Sequence, residues 1–283
     1  MAAPDPSFLI GLIGTGIQSS RAPFMHETEA EAQGLRLIYK LIDLDLLGLG
    51  NDALPDLLTA AERMGFNALN ITHPCKQAVV PLLHELSPDA ASLGAVNTIQ
   101  LRDGRRIGHN TDWFGFAENL RRALPDVAMD HVVQFGAGGA GSAVAHAALV
   151  RGTRHLTITD INPARAQSVA DGLNARFGAG RVTAVTDATQ AVAAADGIIN
   201  ATPIGMDAHP GMAFPAAWLR RSLWVAEVIY FPLETEMLRH ARDLGCRTVD
   251  GGGMAVFQAA EGFRLFTGRV ADADRMLTRF RSL

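Results

Sequence analysis

The stretch VVQFGAGGAG, residues 132–141, decides the fold of the second half of the chain. Its first four residues have the pattern of a buried strand, and glycines follow at positions 136, 138 and 141. Between a strand and a helix, glycines at this spacing allow a tight turn, close approach of a pyrophosphate and close helix packing. The stretch therefore predicts a dinucleotide-binding loop, for which the alternative is a plain glycine-rich turn. Its binding residues would be Gly136, Ala137, Gly138, Gly139 and Ala140.

Strands and helices alternate around this loop. Strands are predicted at 132–135, 156–159, 182–185, 197–200, 224–228 and 247–249, with helices at 141–150 and 163–177. Strands separated by helix-length segments favour a parallel, doubly wound sheet. Residues 113–253 are therefore predicted to form a Rossmann-type domain.

A second alternating series occupies residues 1–112. Strands are predicted at 8–13, 36–42 and 66–71, with a helix over 23–33 and another that Asn51 caps and that runs to Met64. The dipeptide Asp103-Gly104 then predicts a hairpin within residues 95–109. The segment 254–283 is helical with no following strand, so we expect it to complete this N-terminal α/β domain. The chain is thus predicted to be a two-domain α/β protein with its active site in the cleft between the domains.

Composition excludes several classes of protein. The 25 basic residues against 29 acidic ones form no basic block, so nucleic acid is not an expected partner. Apolar runs are too short to span a bilayer, and Met1–Ser7 does not have the pattern of a signal peptide. Two cysteines and scattered histidines predict no disulfide framework and no metal site, which suits a cytoplasmic protein. The composition does not decide between a monomer and a homodimer.

Basic residues are unevenly divided, because 23 are arginine and only Lys40 and Lys76 are lysine. Lys76 ends a polar loop after the third predicted strand, and Asp112 ends a second polar loop at the domain junction. Hydride removal from an alcohol requires a base for the hydroxyl proton, and lysine can release a proton where arginine cannot. Lys76 is therefore predicted to be the acid/base and Asp112 its partner. The alternatives are a surface cation for Lys76 and a helix cap before Trp113 for Asp112.

Asp160 ends the strand after the glycine-rich loop, about 20 residues beyond the last glycine of the motif. An acid at this place accepts hydrogen bonds from the adenosine ribose hydroxyls and repels a 2′-phosphate. The expected cofactor is therefore NAD, with NADP second because Arg165 is near. The alternative is that Asp160 only caps the helix that begins near Pro163.

Five ordered motifs now give the chain a resemblance to a known family. They are NITHPCK (70–76), GAVNT (94–98), GHNTD (108–112), GAGG (136–139) and NATPIGM (200–206), and the similarity continues into VIYFP (228–232), DG (250–251) and QAA (258–260). Together these motifs resemble those of the shikimate/quinate dehydrogenase family, and they are most similar to those of its NAD-linked branch. The resemblance implies that Lys76 and Asp112 act at the ring hydroxyls. It also implies contacts to those hydroxyls from Thr72, Asn97 and Gln258, to the carboxylate from Tyr230, and to the nicotinamide from Val228 and Gly251.

The segment 14–23 departs from the family pattern. It matches a carboxylate-binding loop that normally carries two hydroxyl residues, of which this chain keeps Ser20 and has Ala22 in the second place. Loss of one hydrogen bond to a carboxylate weakens binding by about 1–3 kcal/mol. The expected substrate is a small cyclic hydroxy acid such as shikimate or quinate, oxidised to the ketone. The alternatives are an aminoshikimate-type dehydrogenase and a catalytically weak NAD-binding regulatory protein.

Overall fold

A computed structural model describes residues 7–282, so most of the segment Met1–Ser7, and Leu283, lie outside the described residues. The chain divides into two compact units. The first runs to Thr111 and resumes at Gln258, and the second is Asp112–Phe257. The sequence places these divisions after residues 112 and 253. Within residues 7–282, no helix has the length and apolar character needed to cross a membrane.

The first unit contains six strands and the helices that connect them. In chain order its elements before residue 112 are β1 (Ser7–Gly14), α1 (Ala22–Ala32), β2 (Arg36–Asp43), α2 (Leu44–Leu47), α3 (Leu54–Arg63), β3 (Ala68–Ile71), α4 (Cys75–Ala78), β4 (Glu85–Leu86), α5 (Pro88–Leu93), β5 (Thr98–Arg102) and β6 (Arg105–His109).

The sheet of this unit has the order β2-β1-β3-β5-β6-β4. The first three strands are parallel, as the predicted βαβαβ pattern requires, whereas β5 runs antiparallel to β3 and β6. The predicted hairpin is present, and Asp103 (φ 52°) and Gly104 (φ 72°) both adopt the left-handed conformation of a type I′ turn. This turn sends β6 back along β5, so the loops that precede β5 and follow β6 lie at the same end of the hairpin.

The predicted cap at Asn51 is wrong. Asn51 begins a short 3-10 turn, and α3 starts three residues later, with Pro55 in its first turn. Proline is favoured there because the first amide groups of a helix have no partner within the helix. The Asn51 side chain instead accepts a hydrogen bond from the Cys75 thiol at 3.3 Å, which ties the start of α4 to this turn.

The second unit alternates strands and helices as predicted. Its elements are α6 (Asp112–Ala123), β7 (His131–Phe135), α7 (Gly139–Val150), β8 (His155–Thr159), α8 (Pro163–Phe177), β9 (Val182–Ala184), α9 (Thr189–Ala193), β10 (Gly197–Asn200), β11 (Trp224–Glu227), α10 (Glu236–Asp243) and β12 (Arg247–Val249). The chain ends with α11 (Gly252–Thr267), within which the division of units falls, and α12 (Ala273–Arg281).

The sheet of the second unit is parallel throughout, with the order β12-β11-β10-β7-β8-β9. Strands β8 and β9 are added on one side of β7, and β10, β11 and β12 are added on the other side. The strand order therefore reverses between the neighbouring strands β7 and β10. In such sheets, ligands bind at the carboxyl ends of the strands at this reversal. The predicted two-domain α/β fold with a Rossmann-type sheet is confirmed.

Helix α12 packs against α1 in the first unit. Buried Glu29 of α1 accepts hydrogen bonds from Arg275 at 2.7 and 2.9 Å and from the Asp272 backbone at 2.9 Å. A buried carboxylate needs such partners because leaving it unpaired costs several kcal/mol. Helix α12 is therefore held to α1 by an ion pair between half-buried Arg275 and the buried Glu29 carboxylate.

Candidate functional site

The glycine-rich loop joins β7 to α7 at the reversal of strand order. Gly136 has a φ of +97°, and a methyl group on it would lie 2.5 Å from the carbonyl oxygen of Ala201. A methyl group on Gly141 would lie 2.4 Å from the Gly136 carbonyl oxygen. On Gly138, by contrast, a methyl group would meet no atom of the described residues within 4 Å. Gly136 and Gly141 therefore lack a side chain because of contacts within the protein, whereas Gly138 lies beside open space, as expected of a glycine that a pyrophosphate approaches.

Gln134 supports this loop from within the core. Its side chain is buried and its Nε2 donates to the carbonyl oxygens of Gly136 and Gly141, both at 2.8 Å. These bonds tie the two ends of the loop together. Gln134 is not among the residues predicted from the sequence, although a glutamine in a strand of apolar residues just before the motif is a usable signal.

Asp160 lies at the end of β8, where the sequence places it. Its Oδ2 accepts from the Ala137 amide at 2.7 Å and its Oδ1 from the Asn162 amide at 2.8 Å, while Arg165 Nη1 lies 3.7 Å from Oδ1. Asp160 does not cap α8, since the cap is Asn162, whose side chain accepts from the Arg165 amide. The carboxylate is therefore fixed against the first turn of the glycine-rich loop.

Glu227 and Asn200 form a buried polar network at the ends of β11 and β10. These residues are paired across the two strands, and Asn200 Nδ2 donates to both Glu227 carboxylate oxygens at 3.1 Å. Burial raises the pKa of Glu227 to about 7, although the hydrogen bonds from Asn200, Ile229, Thr235 and Val228 oppose the increase. Sequence reasoning missed this network, although an acid at the end of a buried strand was a visible signal.

The residues expected near a nicotinamide follow β11 and β12. Gly251 approaches the loop after β11 so closely that a methyl group on it would lie 2.3 Å from the Val228 carbonyl oxygen. Val228 is half-buried, and Tyr230 is exposed at the surface of the same loop. The structure therefore brings Val228 and Gly251 together at one edge of the sheet.

In the first unit, Lys76 lies in the short helix α4 directly after β3. It is half-buried, and its carbonyl oxygen accepts from the Val96 amide at 2.8 Å. Thr72, also half-buried, begins the same turn, and its carbonyl oxygen accepts from the Cys75 amide at 2.8 Å. The NITHPCK and GAVNT motifs are thus held together by backbone hydrogen bonds.

Asn97 and Gln258 meet in one network with Thr111. Asn97 Nδ2 donates to Thr111 Oγ1 at 3.0 Å and to Gln258 Oε1 at 3.3 Å. Asn97 Oδ1 accepts from the Thr111 amide at 2.8 Å. Two residues that are 161 positions apart and that the sequence assigns to one substrate site are therefore neighbours.

Asp112, buried, is the first residue of α6 rather than a cap outside it. An acidic side chain in the first turn is favoured by the partial positive charge of a helix N-terminus. The alternative role, a cap residue before Trp113, is therefore replaced by a position within the helix. That position does not conflict with the predicted role of Asp112.

The loop between β1 and α1 is organised by Asp43. Its carboxylate accepts from Gln18 Nε2 at 3.0 Å and from the amides of Gly16 and Ile17 at 3.1 Å. These hydrogen bonds, that of Gln18 first, lower the pKa of Asp43. Ser20 Oγ accepts from the Ala22 amide at 3.2 Å, which leaves its O–H as a donor for a ligand.

A mixed α/β unit joined to a parallel unit with a glycine-rich loop defines the class of two-domain α/β proteins with one Rossmann-type domain. Family models agree with this class: residues 12–99 match the shikimate dehydrogenase substrate binding domain and residues 251–279 the shikimate 5′-dehydrogenase C-terminal domain.

Relatives match over almost the whole chain. A shikimate dehydrogenase (NADP(+)) of Streptomyces avermitilis is 57% identical over 96% of this chain and 94% of its own. A quinate/shikimate dehydrogenase (NAD(+)) of Corynebacterium efficiens is 51% identical over 98% of this chain and 99% of its own. The solved structure of quinate dehydrogenase from Corynebacterium glutamicum in complex with NAD superposes with a TM-score of 0.93 at 48% identity, covering 98% and 99% of the two chains. The chain belongs to the shikimate/quinate dehydrogenase family, as its motifs predict.

Proposed function

We propose that this protein oxidises a ring carbinol of shikimate or quinate to the ketone and passes the hydride to NAD. The observation that carries the proposal is the full-length similarity to the quinate/shikimate dehydrogenase (NAD(+)) of Corynebacterium efficiens, at 51% identity. The reaction consumes and yields small cyclic acids, and its place is the cytoplasm. The first unit supplies most of the residues assigned to the ring acid, and the second unit supplies Asp112, Tyr230 and the cofactor site.

The preference for NAD depends on Asp160. Relatives of this chain are named for either cofactor, so family membership alone does not decide between them. The Asp160 carboxylate, held by the Ala137 and Asn162 amides, accepts from the ribose hydroxyls and repels a 2′-phosphate. Arg165 is drawn to this same carboxylate at 3.7 Å, which reduces its availability for a phosphate. The glycine-rich loop holds the pyrophosphate with Gly138 at the point of approach.

Proton transfer is assigned to Lys76 of the first unit and Asp112 of the second. When bound, NAD supplies the hydride acceptor. The Lys76 amine takes the proton of the reacting hydroxyl and returns it in the reverse direction, and Asp112 orients the amine. The ring hydroxyls are held by Thr72, Asn97 and Gln258, and the carboxylate by Ser20 and Tyr230. Val228 and Gly251 line the nicotinamide position.

Ala22 favours a second candidate within the same chemistry. With one hydroxyl donor where the family has two, the site has a weaker hold on the carboxylate, by about 1–3 kcal/mol. A ring acid in which an ammonium group replaces a ring hydroxyl, such as aminoshikimate, would offset that loss through a charge-assisted hydrogen bond. The values of kcat/KM for shikimate, quinate and aminoshikimate therefore decide which of these acids is the preferred substrate.

A substrate and cofactor matrix tests the proposal. Shikimate, quinate and aminoshikimate are each assayed with NAD and with NADP, and reduction of the cofactor is followed at steady state. We expect turnover of shikimate or quinate with NAD, and an at least tenfold lower kcat/KM with NADP. Turnover of aminoshikimate alone would select the second candidate. NAD binding without turnover of any ring acid would refute the proposal and indicate a regulatory protein.

A further inference from the structure

The carboxylate of Glu227 lies at the centre of the two loops that leave β10 and β11. Glu227 is fully buried, and its Oε1 accepts from the Val228 amide at 3.0 Å and the Ile229 amide at 3.1 Å. Its Oε2 accepts from Thr235 Oγ1 at 3.0 Å. Thr235 in turn caps α10 by accepting from the Leu238 amide. One side chain therefore holds both ends of the segment between β11 and α10.

The same carboxylate reaches the loop after β10 through Asn200. Asn200 Nδ2 donates to Glu227 and to the Ile204 carbonyl oxygen at 3.0 Å, and its Oδ1 accepts from Thr202 Oγ1 at 2.7 Å. The loop that Asn200 shapes packs closely against the glycine-rich loop, since a methyl group on Gly136 would meet the Ala201 carbonyl oxygen. Glu227 is thus linked through contiguous contacts to the cofactor loop itself.

The position of these loops in the sheet indicates which part of the cofactor they serve. A dinucleotide spans the reversal of strand order, with one half on each side. Asp160 on β8 marks the adenosine side, so the loops after β10 and β11 lie on the nicotinamide side. A buried carboxylate costs several kcal/mol of desolvation, and here it satisfies backbone amides and side chains of irregular segments rather than a cation.

We infer that Glu227 is a positioning residue that fixes the nicotinamide-side loops, residues 200–206 and 228–235, in the conformation that receives the nicotinamide half of the dinucleotide. The inference rests on the proposed function, because it assigns those loops to NAD. It does not place Glu227 in contact with the cofactor. Its effect is transmitted through Val228, Ile229 and Asn200.

The Glu227→Gln substitution tests this role with little change in volume. Glutamine keeps one acceptor oxygen for the Val228 and Ile229 amides, but its amide nitrogen faces the Asn200 donor, so the network is broken on one side. Binding is measured with two probes, NADH and ADP-ribose, of which only NADH carries the nicotinamide half. We expect NADH affinity to fall about tenfold, the equivalent of one lost hydrogen bond, and ADP-ribose affinity to stay within about twofold.

Turnover gives the second readout. A loosened nicotinamide site should lower kcat with NAD by about 10- to 100-fold. The KM for the ring acid should rise by a smaller factor, since only Tyr230 of its proposed contacts lies in residues 228–235. Asp196→Asn is the matched control, since Asp196 Oδ2 accepts from the His131 amide at the amino ends of β7 and β10, away from the loops. Its NADH affinity, ADP-ribose affinity and kcat should equal those of the wild type.

A second pair of variants covers the case in which Glu227→Gln does not fold. Thr235→Val removes the hydroxyl that donates to Glu227 and should reproduce the selective loss of NADH affinity, whereas Thr235→Ser should restore it. Equal losses for NADH and ADP-ribose, or unchanged values in both Glu227→Gln and Thr235→Val, would overturn the inference while wild-type turnover still supports the proposed function. Absence of turnover and of NADH binding in the wild type would refute both.

Discussion

The three glycines of the motif can be separated experimentally, because the structure assigns them different reasons for lacking a side chain. Gly136 is in the left-handed region, and a methyl group on it would lie 2.5 Å from the Ala201 carbonyl oxygen. Gly138 is instead extended (φ −71°, ψ −169°), with open space beside it. An alanine at position 136 would therefore clash with the protein itself. An alanine at position 138 would clash only with a bound ligand.

The magnitudes follow from these contacts. For Gly136→Ala, left-handed strain costs about 1–2 kcal/mol and overpacking against backbone about 1–3 kcal/mol, so the free energy of unfolding should fall by about 2–5 kcal/mol. Gly138→Ala should lower it by less than about 1 kcal/mol, because the new methyl group meets open space and only the preference for glycine at the N-cap of α7 is lost. The NAD affinity of Gly138→Ala should nevertheless fall at least about tenfold, since the methyl group occupies the place of pyrophosphate approach.

Two measurements on each variant check these values: denaturant unfolding without ligand and titration with NAD. The diagnostic result is that stability and affinity change in different variants. If Gly138→Ala bound NAD with wild-type affinity, the pyrophosphate would not lie over the middle glycine. If Gly136→Ala were as stable as the wild type, the conflict with Ala201 would not exist.

Three further predictions concern the catalytic residue, the cofactor preference and the stability at low pH. Lys76→Ala should lower kcat by about 10²- to 10⁴-fold with NAD affinity retained, and Lys76→Arg should be as inactive because arginine keeps its proton; near-normal turnover in either would remove Lys76 from the mechanism. Asp160→Ser should raise the NADP/NAD ratio of kcat/KM at least about tenfold, and adding Arg165→Ala should cancel that gain, since a freed guanidinium binds the 2′-phosphate. His26 is buried among aromatic rings, and burial lowers its pKa to about 3. Below pH 6.5 this histidine is therefore protonated in the unfolded chain but stays neutral in the folded chain. Stability should therefore fall as pH drops below 6.5, by up to about 1.4 kcal/mol per pH unit from this residue, and denaturant unfolding at pH 7, 6 and 5 should show a shallower loss in His26→Phe.

Local patterns were sufficient for most of the second unit. The helix Pro163–Phe177 and the strand Gly197–Asn200 have the bounds that periodicity and the proline at the helix start predict. The short helices α9 and α10 were missed because neither has a long apolar repeat. Asn51 was misplaced because its side chain has two uses, a cap or a partner for Cys75, and only tertiary contacts decide between them.

The supporting residues of the candidate site could not be predicted in the same way. Gln134, Glu227 and Asp43 each accept or donate bonds that depend on which loop ends lie next to each other in the folded chain. A motif marks residues that meet a ligand, because the ligand constrains their type and spacing. Of the buried polar groups that hold those residues in place, Asn200 lies in the motif NATPIGM, but Gln134, Glu227 and Asp43 lie outside the quoted motifs and are identified by the hydrogen bonds of the folded chain.

Close relatives of this chain are named for two different cofactors, and this indicates which part of the protein sets the preference for NAD or NADP. A relative named for NADP is 57% identical to this chain and one named for NAD is 51% identical, so overall identity does not follow the cofactor. NAD and NADP differ only at the 2′ position of the adenosine ribose, and a difference there can be discriminated only by side chains within hydrogen-bond reach of it. In this chain the residues that we assign to that position are Asp160, at the end of β8, and Arg165, in the first turn of α8, with 3.7 Å between their charged groups. We therefore expect this one carboxylate, which attracts a guanidinium and would accept from ribose hydroxyls and repel a phosphate, to set the cofactor preference.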